Sequence, residues 1–184
     1  LAASADRMYR RVPQRKKDGS TRETWDAYRK LKRVQGYIKS RILDHVQFPL
    51  YLHGGIRDRE NPRDYARNAA LHAGQSVLIN EDVADFFPST TAEQINEIWR
   101  VVFRFPDDVA TCLTKLTTRR GTLPQGAKTS NHLANLAFYR EEPLLEAHLQ
   151  ARGLRYSRLT DDISIASSRR IAPTVKADIV RAVY

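Results

Sequence analysis

Residues 158–167, RLTDDISIAS, decide the fold when set beside residues 77–89, VLINEDVADFFPS. Leu154 to Thr160 and Ile163 to Ser167 are rich in aromatic and β-branched residues, so two strands are predicted, with Asp161 and Asp162 at or beside their turn. Val77 to Asp82 starts after Gly74, carries β-branched residues and ends in carboxylates, which predicts a third strand. Both acidic clusters therefore stand at strand ends. Only adjacent strands would bring Asp82 and Asp161 together, because 79 positions separate them along the chain.

Helical patterns fill most of the remainder. Leu31, Val34, Ile38, Ile42 and Val46 recur at helical spacing and predict an amphipathic basic helix from about Asp26 to Val46. A second helix is expected from near Pro62 to about Ala73. Thr90 with Glu93 reads as a capping box ahead of the apolar face Ile95, Ile98, Trp99 and Val102. Pro106 is expected to start a helix that turns Val109, Leu113 and Leu116 inward. Another runs from about Lys128 towards Ala151, with Pro143 as kink or restart and Gly153 as the stop. Near the N-terminus, Asp18-Gly19-Ser20 reads as a tight turn between two short strands. Strand, helices and then hairpin predict an α+β fold rather than a doubly wound sheet.

The charge is concentrated. The 184 residues carry a formal net charge of +10, and the whole surplus lies between Arg7 and Arg41, where 13 Lys/Arg face 3 Asp/Glu. Such a segment suits a phosphate backbone, since each neutralised phosphate releases condensed counterions; it also suits a solvated helix face. No run approaches the roughly 20 apolar residues that span a bilayer, and the first residues lack the apolar stretch of a signal peptide. The one cysteine, Cys112, has no partner for a disulfide or zinc site and reads as a buried small hydrophobe. The expected location is the cytoplasm. Walker, GxGxxG and HExxH patterns are absent, which removes most rival nucleotide and zinc chemistries.

Carboxylates converging on strand ends make an oxygen-rich site suited to hard divalent cations, and such a site suits phosphoryl transfer. Taken alone, an Asp-Asp pair in a turn is more often a solvated turn. Phe86 and Phe87, taken alone, read as core. Likewise Asn68 reads as a helix cap or bridge, and His72 as a buried imidazole.

The joint pattern says more. VLINEDVADFFPS resembles reverse-transcriptase motif A, LPQGAKTSN at 123–131 resembles motif B, and RLTDDISIAS resembles motif C, in the family's order and at plausible spacing. KKDGSTR at 16–22 resembles the fingers loop that binds the nucleotide triphosphate. Asn68-Ala69-Ala70-Leu71-His72 resembles the NAxxH signature that precedes motif A in retron reverse transcriptases. The chain thus resembles the fingers and palm of a retron-type reverse transcriptase.

The resemblance implies a right-hand polymerase in which residues 1–73 are mostly fingers and 74–184 are palm, an antiparallel sheet packed on helices, with the thumb absent and the chain a fragment of a longer one. It implies that Asp82, Asp161 and Asp162, with the carbonyl of Val83, hold two Mg²⁺ ions or Mn²⁺. Lys16, Lys17 and Arg22 would contact the triphosphate, Asp85 and Gln125 would help to seat the nucleotide, and Phe87 would exclude ribose. Asn68, Ala69 and His72 would mark the retron subtype. The implied partners are an RNA template, a DNA or RNA primer, dNTPs, a cognate noncoding RNA copied into branched RNA–DNA, and an effector protein in phage defence, with no membrane. Two rival readings are a group II intron or other defence-associated reverse transcriptase, and a catalytically inactive RNA-binding scaffold.

Some positions depart from the pattern. Leu159 stands where the family usually has Tyr, and Lys128 and Asn131 stand where motif B commonly has Pro. Glu81 falls on the strand face of Val77 and Ile79, where period-two alternation predicts apolar residues; it either sits at an exposed strand end or adds a carboxylate near the site. Trp25 and Trp99 are expected in the core or at an interface.

Overall fold

The computed structural model describes residues 1–16, 18–175 and 177. In chain order the elements are β1 (Tyr9–Arg15), β2 (Thr21–Ala27), α1 (Arg29–Arg41), β3 (Leu52–His53), α2 (Tyr65–Leu71), β4 (Val77–Asp82) and α3 (Phe86–Ser89). They continue with α4 (Ala92–Glu97), α5 (Asp107–Thr117), α6 (Ser130–Asn135), α7 (Glu142–Ala151), β5 (Arg155–Leu159) and β6 (Asp162–Ser167). Helices and strands follow one another without a repeating β-α-β unit, so the α+β class holds. The chain divides into two compact units, Leu1–Val46 with Asp85–Ala137, and Gln47–Ala84 with Phe138–Tyr184.

In the first unit β1 and β2 form an antiparallel hairpin that closes at the pair Arg15↔Thr21. Asp18 sets its turn by accepting the backbone N–H of Ser20 at 2.9 Å and the Ser20 hydroxyl at 2.7 Å. Those bonds to the charged form hold the Asp18 carboxyl below its ordinary range. Helix α1 turns Leu31, Gln35 and Ile38 inward. Gln35 is fully buried, and its amide donates to the Tyr9 hydroxyl at 2.8 Å and to the Leu116 carbonyl at 2.9 Å. A polar side chain survives inside because its donors are used. Ile95, Ile98 and Trp99 form the fully buried face that follows, and α4 runs on into a π-helical turn at Ile98–Val102.

The second unit is built on a four-stranded sheet of order β3-β5-β6-β4. Strand β6 pairs antiparallel with both β5 and β4, while the short β3 pairs in parallel with β5 and makes that edge mixed, unlike the antiparallel sheet expected. Ile163, Ile165 and Ala166 on β6 are buried at 2% exposure or less. Helix α7 and helix α2 both pack on β5. Among the described residues, no helix is long and apolar enough to cross a membrane.

Several local expectations shift. The capping box is Thr91 with Gln94 rather than Thr90 with Glu93; Thr90 instead bonds back to the Phe86 carbonyl at 2.8 Å. Helix α5 buries Ala110, Thr114 and Thr117 with Leu116, leaving Val109 exposed. That rotation also exposes Cys112, two positions from Ala110 and hence on the far side, which corrects the expected burial. The helix expected from 128 to 151 is two, α6 and α7, with Pro143 in the first turn of α7 where its missing N–H costs nothing. Glu81 keeps the alternation of β4, half-buried on the face of Val77 and Ile79. Trp99 is fully buried, and Trp25 is half-buried.

Candidate active site

The acidic end of the sheet is set by register. The antiparallel ladder of β4 and β6 runs from Val77↔Ser167 to Asp82↔Asp162, so the last residue of one strand faces the first of the other. Strands β5 and β6 close at Leu159↔Asp162, leaving Thr160 and Asp161 as the turn. The backbone N–H of Val83 donates to the carbonyl of Asp161 at 3.0 Å, which ties the chain leaving β4 to that turn. Asp82 and Asp162 are exposed, Asp161 is half-buried and Val83 is buried. Direct cross-strand partners share a face, so Asp82 and Asp162 are neighbours on one side of the sheet.

This is an all-oxygen donor set, and it fits a hard cation that keeps several waters and takes its remaining ligands from substrate phosphate. Among the described residues, no three His, Cys, Asp or Glu side chains already stand together as an ion-holding group. The strands themselves offer one carboxylate pair, Asp82 with Asp162, and Asp161 stands in the adjoining turn.

The remaining predicted residues belong to different elements. Lys16 and Arg22 both line a cleft of about 470 Å³ at the β1–β2 hairpin, together with Gln14, Arg15 and Asp18. Lys17 lies outside the described residues. Asp85 is exposed at φ +48°, and its carbonyl accepts the Ser89 N–H at 2.8 Å to start α3. Phe86 and Phe87 are 3% and 5% exposed and meet edge to face at 5.9 Å. The stretch 77–89 thus divides between the two units after Ala84.

Gln125 lines a second cleft of about 440 Å³, with Trp25, Arg119, Arg120 and Leu123 among its walls. Its carbonyl accepts the Trp25 N–H at 2.7 Å. Gly126 sits at φ +100°, and a Cβ there would lie 3.3 Å from the Trp25 carbonyl oxygen. Arg119 stacks over the Trp25 ring at 3.3 Å, and burial followed by repulsion from Arg120 lowers its pKa. This stack was not predicted. Its partners are 94 positions apart, and a lone Trp and a lone Arg carry no sequence signal of pairing.

Asn68 to Leu71 lie on α2, and His72 caps its C-terminal end. Asn68 is buried, while Ala69 is exposed on the other side of the helix. His72 bonds the Ser157 hydroxyl of β5 at 2.7 Å. Burial, and then the Arg155 charge, hold its pKa below the ordinary imidazole value. Arg155 itself donates to the Leu71 carbonyl at 2.8 Å, so the end of α2 is fastened to β5.

The chain is similar to several known proteins. The chain is 35% identical over 168 residues to the retron Se72 reverse transcriptase of Salmonella heidelberg (strain 579083-10), a match that covers 91% of this chain and 43% of that protein. The chain is a relative of the retron-type reverse transcriptases. The retron Ec86 reverse transcriptase of Escherichia coli is 31% identical over 179 residues, 96% of this chain and 54% of its own length. The retron Ec48 reverse transcriptase of the same species is 28% identical over 157 residues, 82% of this chain and 38% of its own. The chain therefore spans about half or less of the retron reverse transcriptases it matches. No family model matches it.

Proposed function

We propose that this chain is the fingers and palm part of an RNA-directed DNA polymerase, in which residues 1–73 are mostly fingers and 74–184 palm. It adds dNTPs to a primer on an RNA template by phosphoryl transfer. The observation that carries this reading is the pairing of Asp82 with Asp162 at the ends of adjacent strands, with Asp161 in the adjoining turn.

When bound between Asp82, Asp161, Asp162 and the Val83 carbonyl, two Mg²⁺ ions, or Mn²⁺, supply a more acidic primer hydroxyl and charge for the departing pyrophosphate. The chain's own residues do the rest. Lys16, Lys17 and Arg22 hold the triphosphate from the hairpin, and Arg22 adds a fork that matches phosphate oxygens. Asp85 and Gln125 seat the nucleotide, and the Phe87 ring occupies the volume that a 2′-hydroxyl would need. The cationic stretch from Arg7 to Arg41 attracts the nucleic-acid backbone.

The retron relatives support a narrower version. Asn68 and Ala69 stand in a helix capped by His72 and fastened to the sheet, and the cognate partner is then a noncoding RNA that serves as template and primer for branched RNA–DNA. An effector protein and a role in phage defence, in the cytoplasm, complete that version. Primer extension on an RNA template by the full-length protein, with Mg²⁺ and each nucleotide type in turn, tests the reading. Extension with dNTPs is expected; its absence would favour an RNA-binding scaffold that kept the fold.

A further inference from the structure

The second unit also buries an ion pair. Arg158 is fully buried and Glu142 is 4% exposed. The guanidinium grips the carboxylate in a fork, Nε to Oε1 at 2.6 Å and Nη2 to Oε2 at 2.7 Å. The Tyr156 hydroxyl donates to the same Oε1 at 2.7 Å, and the Phe138 ring lies 5.3 Å from the guanidinium carbon. Burial opposes the charge on Arg158, but the bonds and attraction from Glu142 outweigh it and raise the pKa above its ordinary value.

A buried ion pair is a weak source of stability, since apolar residues of similar volume often do as well. The geometry gives this one another task. The third guanidinium nitrogen, Nη1, leaves the pair and donates to the Thr160 carbonyl at 2.7 Å. Thr160 is the first residue of the turn and sits at φ +61°, a costly conformation for a β-branched residue. Its N–H donates to the His53 carbonyl at 3.2 Å, and Asp161 accepts the Val83 N–H at 3.0 Å. The facing loop leaves little slack, because a Cβ on Gly54 would lie 2.5 Å from the Thr160 hydroxyl oxygen.

We propose that Arg158, braced by Glu142, is a positioning residue that fixes the strained Thr160–Asp161 turn and thereby sets where the Asp161 carboxylate stands beside Asp82. The role, which rests on the polymerase reading, touches no reacting atom. It acts through the Thr160 carbonyl. Lysine cannot replace this arginine, because a point charge can neutralise Glu142 but cannot hold the carboxylate and the turn at once.

Two variants of the full-length protein test this. Arg158→Lys keeps the charge opposite Glu142, and the combination Arg158→Met, Glu142→Leu, Tyr156→Phe replaces the whole network with apolar groups. In whichever variant melts close to wild type, amide exchange at Val83 is expected to accelerate on the order of tenfold while Ile165 in the β6 ladder keeps its protection. Turnover should fall about 10- to 100-fold, and half-maximal extension should need more Mg²⁺, with little change in KM for dNTP. A folded variant with wild-type Val83 exchange and wild-type Mg²⁺ dependence overturns the assignment. If the wild-type protein fails to extend a primer, the polymerase reading falls, and Val83 exchange still reports separately whether the network sets the turn.

Discussion

Asp82 and Asp162 are direct Cα partners across the antiparallel pair β4 and β6. Two carboxylates placed opposite one another repel, and a fold keeps such a pair only where something offsets the repulsion. A divalent cation would do so, which makes the arrangement costly for stability and useful for chemistry.

Replacing Asp82 by Asn should therefore separate the two properties. Melting in a chelator is expected to be unchanged or raised by the equivalent of about 0.2–1 kcal/mol, as a like-charge pair is relieved. Primer extension should fall by more than the roughly 100-fold that losing a supporting residue costs. Asp161→Asn should behave alike in extension. Retained activity in either variant would show that these carboxylates do not hold the metals.

Phe87 is 5% exposed and packs against Phe86, so truncation to Ala would cost about 3–5 kcal/mol and blur any effect on selectivity. Phe87→Leu preserves more of the packing. It is expected to raise ribonucleotide incorporation relative to deoxyribonucleotide on the order of 10- to 100-fold, measured as the ratio of kcat/KM values. An unchanged ratio would assign Phe87 to the core alone.

The Trp25–Gln125 contact depends on Gly126. At φ +100° with the Trp25 carbonyl 3.3 Å from an added Cβ, Gly126→Ala should destabilise by about 1–3 kcal/mol and raise KM for dNTP more than it lowers kcat. Arg119→Ala removes the stack on Trp25 and should cost about 0.5–2 kcal/mol. Melting curves and steady-state kinetics on both variants check the pair.

His53, His72 and His132 all have pKa values below the ordinary 6.5, with burial the largest cause in each. Arg63, Arg155 and Lys39 push the same way for the three in turn, while Asp44, 3.1 Å from His132, opposes it. The unfolded chain then takes up these protons at a higher pH than the folded protein. Stability falls as pH drops through about 6.5 and goes on falling until the folded histidines protonate. A melting temperature that declines between about pH 7.5 and pH 5.5 is expected, and a flat profile would contradict the burial of these rings.

The elements near the acidic site were legible because they rest on local patterns. Val77–Asp82 is a strand over the span its composition predicts, and the hairpin strands differ from prediction only at their ends. Asp18-Gly19-Ser20 makes its turn through bonds two residues long. Where neighbouring signals competed, sequence reading chose wrongly. Thr90 and Thr91 both precede a residue able to complete a capping box, and the bond from Thr90 back to Phe86 left Thr91 to cap. The stripe of α5 rotated because Ala110, Thr114 and Thr117 fit inside where larger side chains were expected.

What the amino-acid sequence determined by itself is the set of short-range choices: turn residues, strand composition, helix starts, and the three acidic side chains at strand ends within motifs of a recognisable order. Only the tertiary structure decided that Asp82 faces Asp162, that Gln35 is buried with its amide nitrogen bonded to Tyr9 and Leu116, and that Arg158 reaches the Thr160 carbonyl from inside the second unit. The register of β4 on β6 joins residues 80 to 90 positions apart, and such pairing is chosen by which faces can be buried together. No window along the chain contains that information.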